Sequence, residues 1–177
     1  IMKQLKTWKY LSTVCASVCA TLFVVLACAS DDSKSQSAET MPDDFVVVAD
    51  FIPDIIQEIR YHSTYNFVGE RITGYEEPKS ILTRKAAEAL KAVSDDVMAQ
   101  GYRLKVYDAY RPQCAVDHFV RWAEDVDDTR MKAYFYPEVP KSELFEREYI
   151  MARSGHTRGS TVDLTLFDMQ TGKEVDM

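Results

Sequence analysis

Ser154-Gly155-His156-Thr157-Arg158-Gly159-Ser160-Thr161-Val162-Asp163-Leu164-Thr165-Leu166 is the stretch on which the reading turns. Its first half is small, polar and glycine-bearing, which reads as a tight loop. Its second half, Ser160 to Phe167, is strand-like, with Asp163 set between the apolar Val162 and Leu164. Neutral imidazole and carboxylate are both good zinc ligands. His156 and Asp163 are seven residues apart, or two helical turns, too far to share one ion from a regular helix. A loop that carries His156 and a strand that starts near Asp163 can bring them together, and Gly159 lets that loop fold back tightly. An ionised Asp among strand hydrophobes is costly without a partner, which a metal would supply. By spacing alone the two could equally be an ordinary surface pair.

Upstream, the pattern alternates between helix and strand. Thr83 to Gln100 predicts a helix, capped by Thr83 and closed by Gly101, with Ala86, Leu90, Val93 and Val97 as its apolar stripe. Arg103 to Asp108 predicts a half-buried strand with Leu104 and Val106 inward. Pro112 suits the first turn of a second helix, whose apolar face is Ala115, Val116, Phe119, Val120 and Ala123. Phe45 to Ala49 is β-rich, and Ile52, Ile55, Ile56 and Ile59 have helical spacing. Tyr61 to Gly74 reads as loop with short strand, Asp125 to Pro140 as a connector, and Ser142 to Tyr149 as a short helix. Thr171-Gly172 marks a turn after the last strand. This irregular order favours an α+β fold with a mostly antiparallel sheet and flanking helices.

The N-terminus reads differently. Lys3, Lys6 and Lys9 precede an uncharged run from Tyr10 to Ala27, the pattern of a secretory signal peptide over 1–27. Val25-Leu26-Ala27-Cys28 resembles a bacterial lipobox, in which Cys28 would be lipidated. Plain secretion and an uncleaved membrane anchor are the alternatives. Residues 28–44 read as a flexible tether, and the folded domain is expected over 45–177. The expected location is the bacterial cell envelope, as a periplasm-facing lipoprotein held to the membrane through Cys28. Of the four cysteines, Cys15 and Cys19 lie within the signal, which leaves Cys114 without a disulfide partner. Cys114 is expected to be a small core residue at a helix start. A net charge of -7 without a basic cluster argues against nucleic acid as a partner.

Ser154-x-His156-x-x-Gly159-x-x-x-Asp163 resembles the signature of the zinc D-Ala-D-Ala peptidases. Tyr107-Asp108-Ala109-Tyr110-Arg111-Pro112 is similar to the D-x-Y-R-P segment of the VanX-type D-Ala-D-Ala dipeptidase branch. Further likeness lies at Asn66-Phe67, Gly74-Tyr75, Gln100-Gly101-Tyr102, Trp122-Ala123 and Tyr136-Pro137. The resemblance implies a DD-peptidase/hedgehog-like fold and zinc-dependent hydrolysis of D-Ala-D-Ala in wall metabolism or salvage. It implies His156 and Asp163 as zinc (Zn2+) ligands and Arg111 as the residue that stabilises the tetrahedral intermediate. Ser154 either binds substrate or caps the turn before His156. Arg111 read without the resemblance is a structural partner of Asp108. The family's third ligand and general base lie in a later E-x-x-H-like segment. The sequence ends 14 residues after Asp163, and His62 and His118 both precede the signature. A C-terminally truncated chain, by itself inactive, is therefore expected. A D,D-carboxypeptidase or L,D-peptidase acting on peptidoglycan stems, or an inactive wall-binding lipoprotein fragment, are the other readings.

Overall fold

The computed structural model describes residues 41–176. The signal segment, Cys28 and most of the tether lie outside the described residues. The order of elements is β1 (Phe45–Val47), α1 (Val48–Phe51), β2 (Ile56–Gln57), β3 (Ile81–Thr83), α2 (Arg84–Ala99), β4 (Tyr102–Asp108), α3 (Gln113–Glu124), α4 (Lys132–Phe135), β5 (Asp163–Asp168) and β6 (Lys173–Glu174). β1 and β3 form an antiparallel pair; the main sheet runs β2-β4-β5-β6, with only β2-β4 parallel. The described residues thus make an α+β fold with a mostly antiparallel sheet and no closed barrel.

β4 is the spine. Leu104, Val106 and Asp108 point to one face and are buried, as are few other strand residues in the protein. Leu104 joins the cluster of Val46, Val48, Leu82, Ala87 and Leu90 under α2. Val106 joins the cluster of Phe119, Trp122, Ala115 and Tyr75 under α3. Arg103, Lys105 and Tyr107 take the other face, where Lys105 pairs with Glu58 and Glu174. One strand therefore supports both halves of the core, and its apolar row ends on a buried carboxylate.

α2 starts and stops as its sequence implies. The Thr83 hydroxyl accepts from Ala86 N, and Gly101 closes the end at φ +89°. Its inward face is rotated from the expected stripe: Ala87, Leu90 and Ser94 are buried, while Val93 is 50% exposed. Small Ala87 and Ser94 allow close approach to the layer below. In α3, Pro112 occupies the N-cap, and Trp122 is buried where Val120 was expected and is only half-buried. Cys114 is exposed, not core, since Ala115 and Val116 take the inward positions of that turn.

Two expected helices are absent. Ile52–Ile59 is extended: Pro53 interrupts any helix, and Ile56–Gln57 pairs with Lys105 and Val106 of β4. Its isoleucines are shared out, Ile52 to one core cluster and Ile59 to the other. Ser142–Tyr149 shrinks to a 3-10 turn at Lys141–Glu143, and the chain then reaches a left-handed Glu148 at φ 59°. Tyr61 to Gly74 contains no strand, only the end of a 3-10 turn at Arg60–His62.

Candidate metal centre and its braced arginine

His156 sits in a single 3-10 turn, Gly155–Arg158. The Ser154 hydroxyl caps that turn by accepting from His156 N at 3.2 Å. Gly159 ends it in the left-handed region at φ +71°, and its N–H donates to His156 O at 2.9 Å. A Cβ at Gly159 would run into the edge of the Phe45 ring. Gly159→Ala therefore combines backbone strain with a clash and is expected to cost about 2 to 4 kcal/mol. Thermal unfolding of the variant checks this; an unchanged midpoint would mean that Phe45 moves freely aside.

Asp163 opens β5, and its position depends on a register slip. Leu104 faces Leu166 and Val106 faces Leu164, but Asp108 faces Asp163, with an irregularity between Val106 and Asp108. A regular ladder would put Val162 there. The slip sets two carboxylates opposite each other, an unfavourable pairing unless a cation lies between them. Arg111 supplies it. Its Nε and Nη2 donate to Asp108 Oδ2 at 3.0 and 2.7 Å, and Nη2 lies 3.6 Å from Asp163 Oδ2.

The imidazole is held in one tautomer. Nδ1 lies 2.8 Å from Ala109 O, and a carbonyl can only accept, so Nδ1 carries the proton. Nε2 is left to face Asp163 Oδ1 at 3.4 Å. That gap exceeds a hydrogen bond. It matches two ligand atoms on one tetrahedral zinc ion, which are about 3.4 Å apart when each is about 2.1 Å from the metal. The donor set and spacing therefore fit a divalent ion. Burial pulls the His156 pKa down, but the Asp163 carboxylate and the Ala109 carbonyl outweigh it and leave it above the usual 6.5. Burial pushes Asp163 up, and His156 and Arg111 bring it below its usual range.

Asp108 completes a possible metal triad with His156 and Asp163 by proximity. Its bonding points to a different task. Tyr75 Oη donates to Oδ1 at 2.6 Å and the Arg111 fork occupies Oδ2. It lies 3.5 Å from Nδ1, the nitrogen already bonded to Ala109. Burial raises the Asp108 carboxyl, against the pull of Arg111 and Tyr75. All its short contacts are donors, so the ionised form is the one that fits. Asp108 is the brace for Arg111, whose guanidinium is further bracketed by the rings of Tyr61 and Phe119, 5.0 and 5.4 Å from their centroids.

The structure thus gathers Ser154, His156, Asp163 and Arg111, with Nη1 of Arg111 3.4 Å from Ser154 Oγ. Cys28 lies outside the described residues. Ser154 caps the turn and faces Arg111, so its two readings coexist geometrically; the structural pairing of Arg111 with Asp108 is present too. Tyr61 and Phe119 read as ordinary aromatics in the sequence, and Tyr75 entered only through the Gly74-Tyr75 likeness, with no role assigned to it. Burial pushes the Tyr61 hydroxyl up to about 12, so it stays a neutral donor beside these charges. His118 lies apart, bonded to Thr73 N and to Glu70.

A buried imidazole and a half-exposed carboxylate spaced for one cation, beside a braced guanidinium, suit hydrolytic chemistry on a peptide bond. Residues 41–177 match the peptidase M15 family model described as D-Ala-D-Ala dipeptidase, and the chain belongs to that family. A D-alanyl-D-alanine dipeptidase of Streptomyces coelicolor is 39% identical over 133 residues, covering 75% of this chain and 66% of the relative. One from Enterococcus faecalis is 38% identical over 131 residues, covering 72% and 65%. One from Escherichia coli is 28% identical over 137 residues, covering 76% and 58%. The chain spans a little under two thirds of the length of the relatives it matches.

Proposed function

We propose that this protein is a zinc-dependent D-alanyl-D-alanine dipeptidase acting in cell-wall metabolism or salvage. The observation that carries the zinc reading is the 3.4 Å gap between a tautomer-fixed His156 Nε2 and Asp163 Oδ1. Family membership carries the dipeptide. His156 and Asp163 would hold the ion, which supplies Lewis acidity toward the scissile carbonyl and toward water. Arg111 presents a fixed positive charge to the oxygen on which negative charge develops, and its braced geometry needs no reorganisation at that moment. Its Nη1 and the Ser154 hydroxyl offer the hydrogen bonds that orient the substrate amide. The rings of Tyr61 and Phe119 shield the guanidinium from water, which strengthens its field. The basic start, apolar run and lipobox-like end at Cys28 support an exported protein anchored through that cysteine. In that location it would act on wall-derived dipeptide rather than on the cytoplasmic precursor.

The test uses purified full-length protein, with release of D-alanine measured as zinc is removed and restored. Turnover should follow zinc occupancy. His156→Ala should weaken zinc binding by about 100-fold or more. Because the proton competes with the ion, zinc affinity should fall with acidification, starting above the ordinary imidazole pKa of 6.5. Zinc-loaded protein that leaves D-Ala-D-Ala intact would sink the proposal, and cleavage of only longer stem peptides would redirect it to a carboxypeptidase.

A further inference from the structure

Two cavities meet at the candidate centre, and both are lined by Asp163, Tyr61 and Phe67. One, of about 230 Å³, continues past Arg60, Tyr107, Phe135 and Asp108. The other, of about 300 Å³, continues past Arg111, Ser154 and Arg153. A dipeptide zwitterion that straddles the centre must put its carboxylate in one and its ammonium in the other. The charges of the two lobes differ. The first holds Asp108 and Asp163 against one guanidinium, and Arg60 already has Glu58 at 3.5 Å and lies flat on the Tyr107 ring at 3.8 Å. The second holds two guanidiniums against Asp163 alone. Arg111 is committed to Asp108. Arg153 has no hydrogen-bond or ion-pair partner among the described residues.

We infer that Arg153 is the specificity residue for the substrate's terminal carboxylate, so that the dipeptide lies with its carboxyl-terminal residue beside Ser154 and Arg153. This rests on the dipeptidase reading above. The guanidinium edge can take a carboxylate through two parallel N–H···O bonds, a geometry that an ammonium or a neutral amide does not match. Placing Arg153 next to Ser154 in sequence lets one short segment contact both the carboxylate and the amide that leads to it. The ammonium then falls in the other lobe, against the faces of Tyr61, Phe67 and Phe135, where Asp108 is already neutralised by Arg111 and the aromatic faces favour a cation.

Arg153 is exposed, so its replacement leaves the fold intact. The experiment is a chemical-shift titration of the full chain, stripped of metal so that nothing is consumed, with D-Ala-D-Ala and with its carboxyl-terminal amide. Wild-type protein should bind the free acid about five- to tenfold more tightly than the amide, the modest range reflecting a solvent-exposed charge. Arg153→Gln should erase that preference and leave amide binding within twofold, while Arg153→Lys should keep part of it. Unchanged acid-over-amide preference in Arg153→Gln overturns the inference alone. Equal binding of acid and amide by wild-type protein does the same. Failure of wild-type protein to bind either ligand overturns the inference, whereas the dipeptidase reading stands or falls separately on release of D-alanine by the zinc-loaded protein.

Discussion

Asp108→Ala should cost about 3 to 5 kcal/mol of stability and, on the proposed dipeptidase function, at least a hundredfold in turnover of D-Ala-D-Ala. The carboxylate is 2% exposed and joins three groups: the Tyr75 hydroxyl, the Arg111 fork and, at 3.5 Å, the edge of His156. Its removal leaves a guanidinium that is only 13% exposed without its short-range counter-ion. The remaining carboxylate, Asp163, is 3.6 Å away and is the one that faces His156. Arg111 would therefore swing toward Asp163 and compete for the oxygen assigned to the metal, so zinc affinity should drop as well as turnover. Asp108→Asn separates the contributions. It keeps the shape and can still accept from Tyr75, but it turns an amide N–H toward the guanidinium or loses the fork. Its stability loss should be smaller than that of alanine while its activity loss is similar. Chemical denaturation, zinc titration and turnover of the two variants check this; a stable Asp108→Asn with unimpaired turnover would show that Arg111 needs no brace.

The parts of this architecture that were legible in the sequence are those with a strong local period. α2 and β4 follow from caps, a closing glycine and strict alternation, and both lie within a residue or two of the expected bounds. The loop carrying His156 and the strand carrying Asp163 were legible because Gly159 marks the one sharp reversal between them. What the sequence concealed were relations across elements. The slip that opposes Asp108 to Asp163 is set by pairing between strands more than fifty residues apart, and no local pattern near Tyr107 announces it. The isoleucines of Ile52–Ile59 have helical spacing because two separate clusters receive them, not because a helix presents one face. Val93 looked like part of a stripe, yet the packing of α2 is decided by where Ala87 and Ser94 permit contact. The role of Asp108 was half visible. Its three-residue spacing from Arg111 suggests an ion pair, but the third partner, Tyr75, comes from a distant loop.

Asn66→Ala should be about as damaging as any single change in the domain, near 3 to 5 kcal/mol, although Asn66 touches neither candidate ligand. The side chain is 1% exposed and replaces regular secondary structure for an entire loop. Its Nδ2 donates to Ser63 O and Glu70 O at 2.7 Å and to Arg60 O at 3.3 Å, while its Oδ1 accepts from Val68 N and Gly69 N at 2.9 and 3.0 Å. Between Arg60 and Gly74 there is no strand to satisfy those backbone groups. Alanine would remove all five bonds, from a buried Val68 N–H and from four part-buried groups, each at a cost of about 1 kcal/mol. Asp at this position should be no better, because an oxygen would replace the amide nitrogen that faces three carbonyls. The midpoint of thermal unfolding should fall by roughly 10 °C for a domain of this size. The consequence reaches the site because this loop carries Tyr61 and Phe67, which line both lobes, Arg60, which lines the first, and in Tyr61 one of the rings that bracket Arg111. Turnover at a temperature where the variant is still folded should therefore fall more than zinc binding, since His156 and Asp163 stand on other elements. Equal losses of zinc binding and turnover would indicate that the loop supports the ligands themselves, and an unchanged unfolding midpoint would show that water replaces the asparagine without penalty.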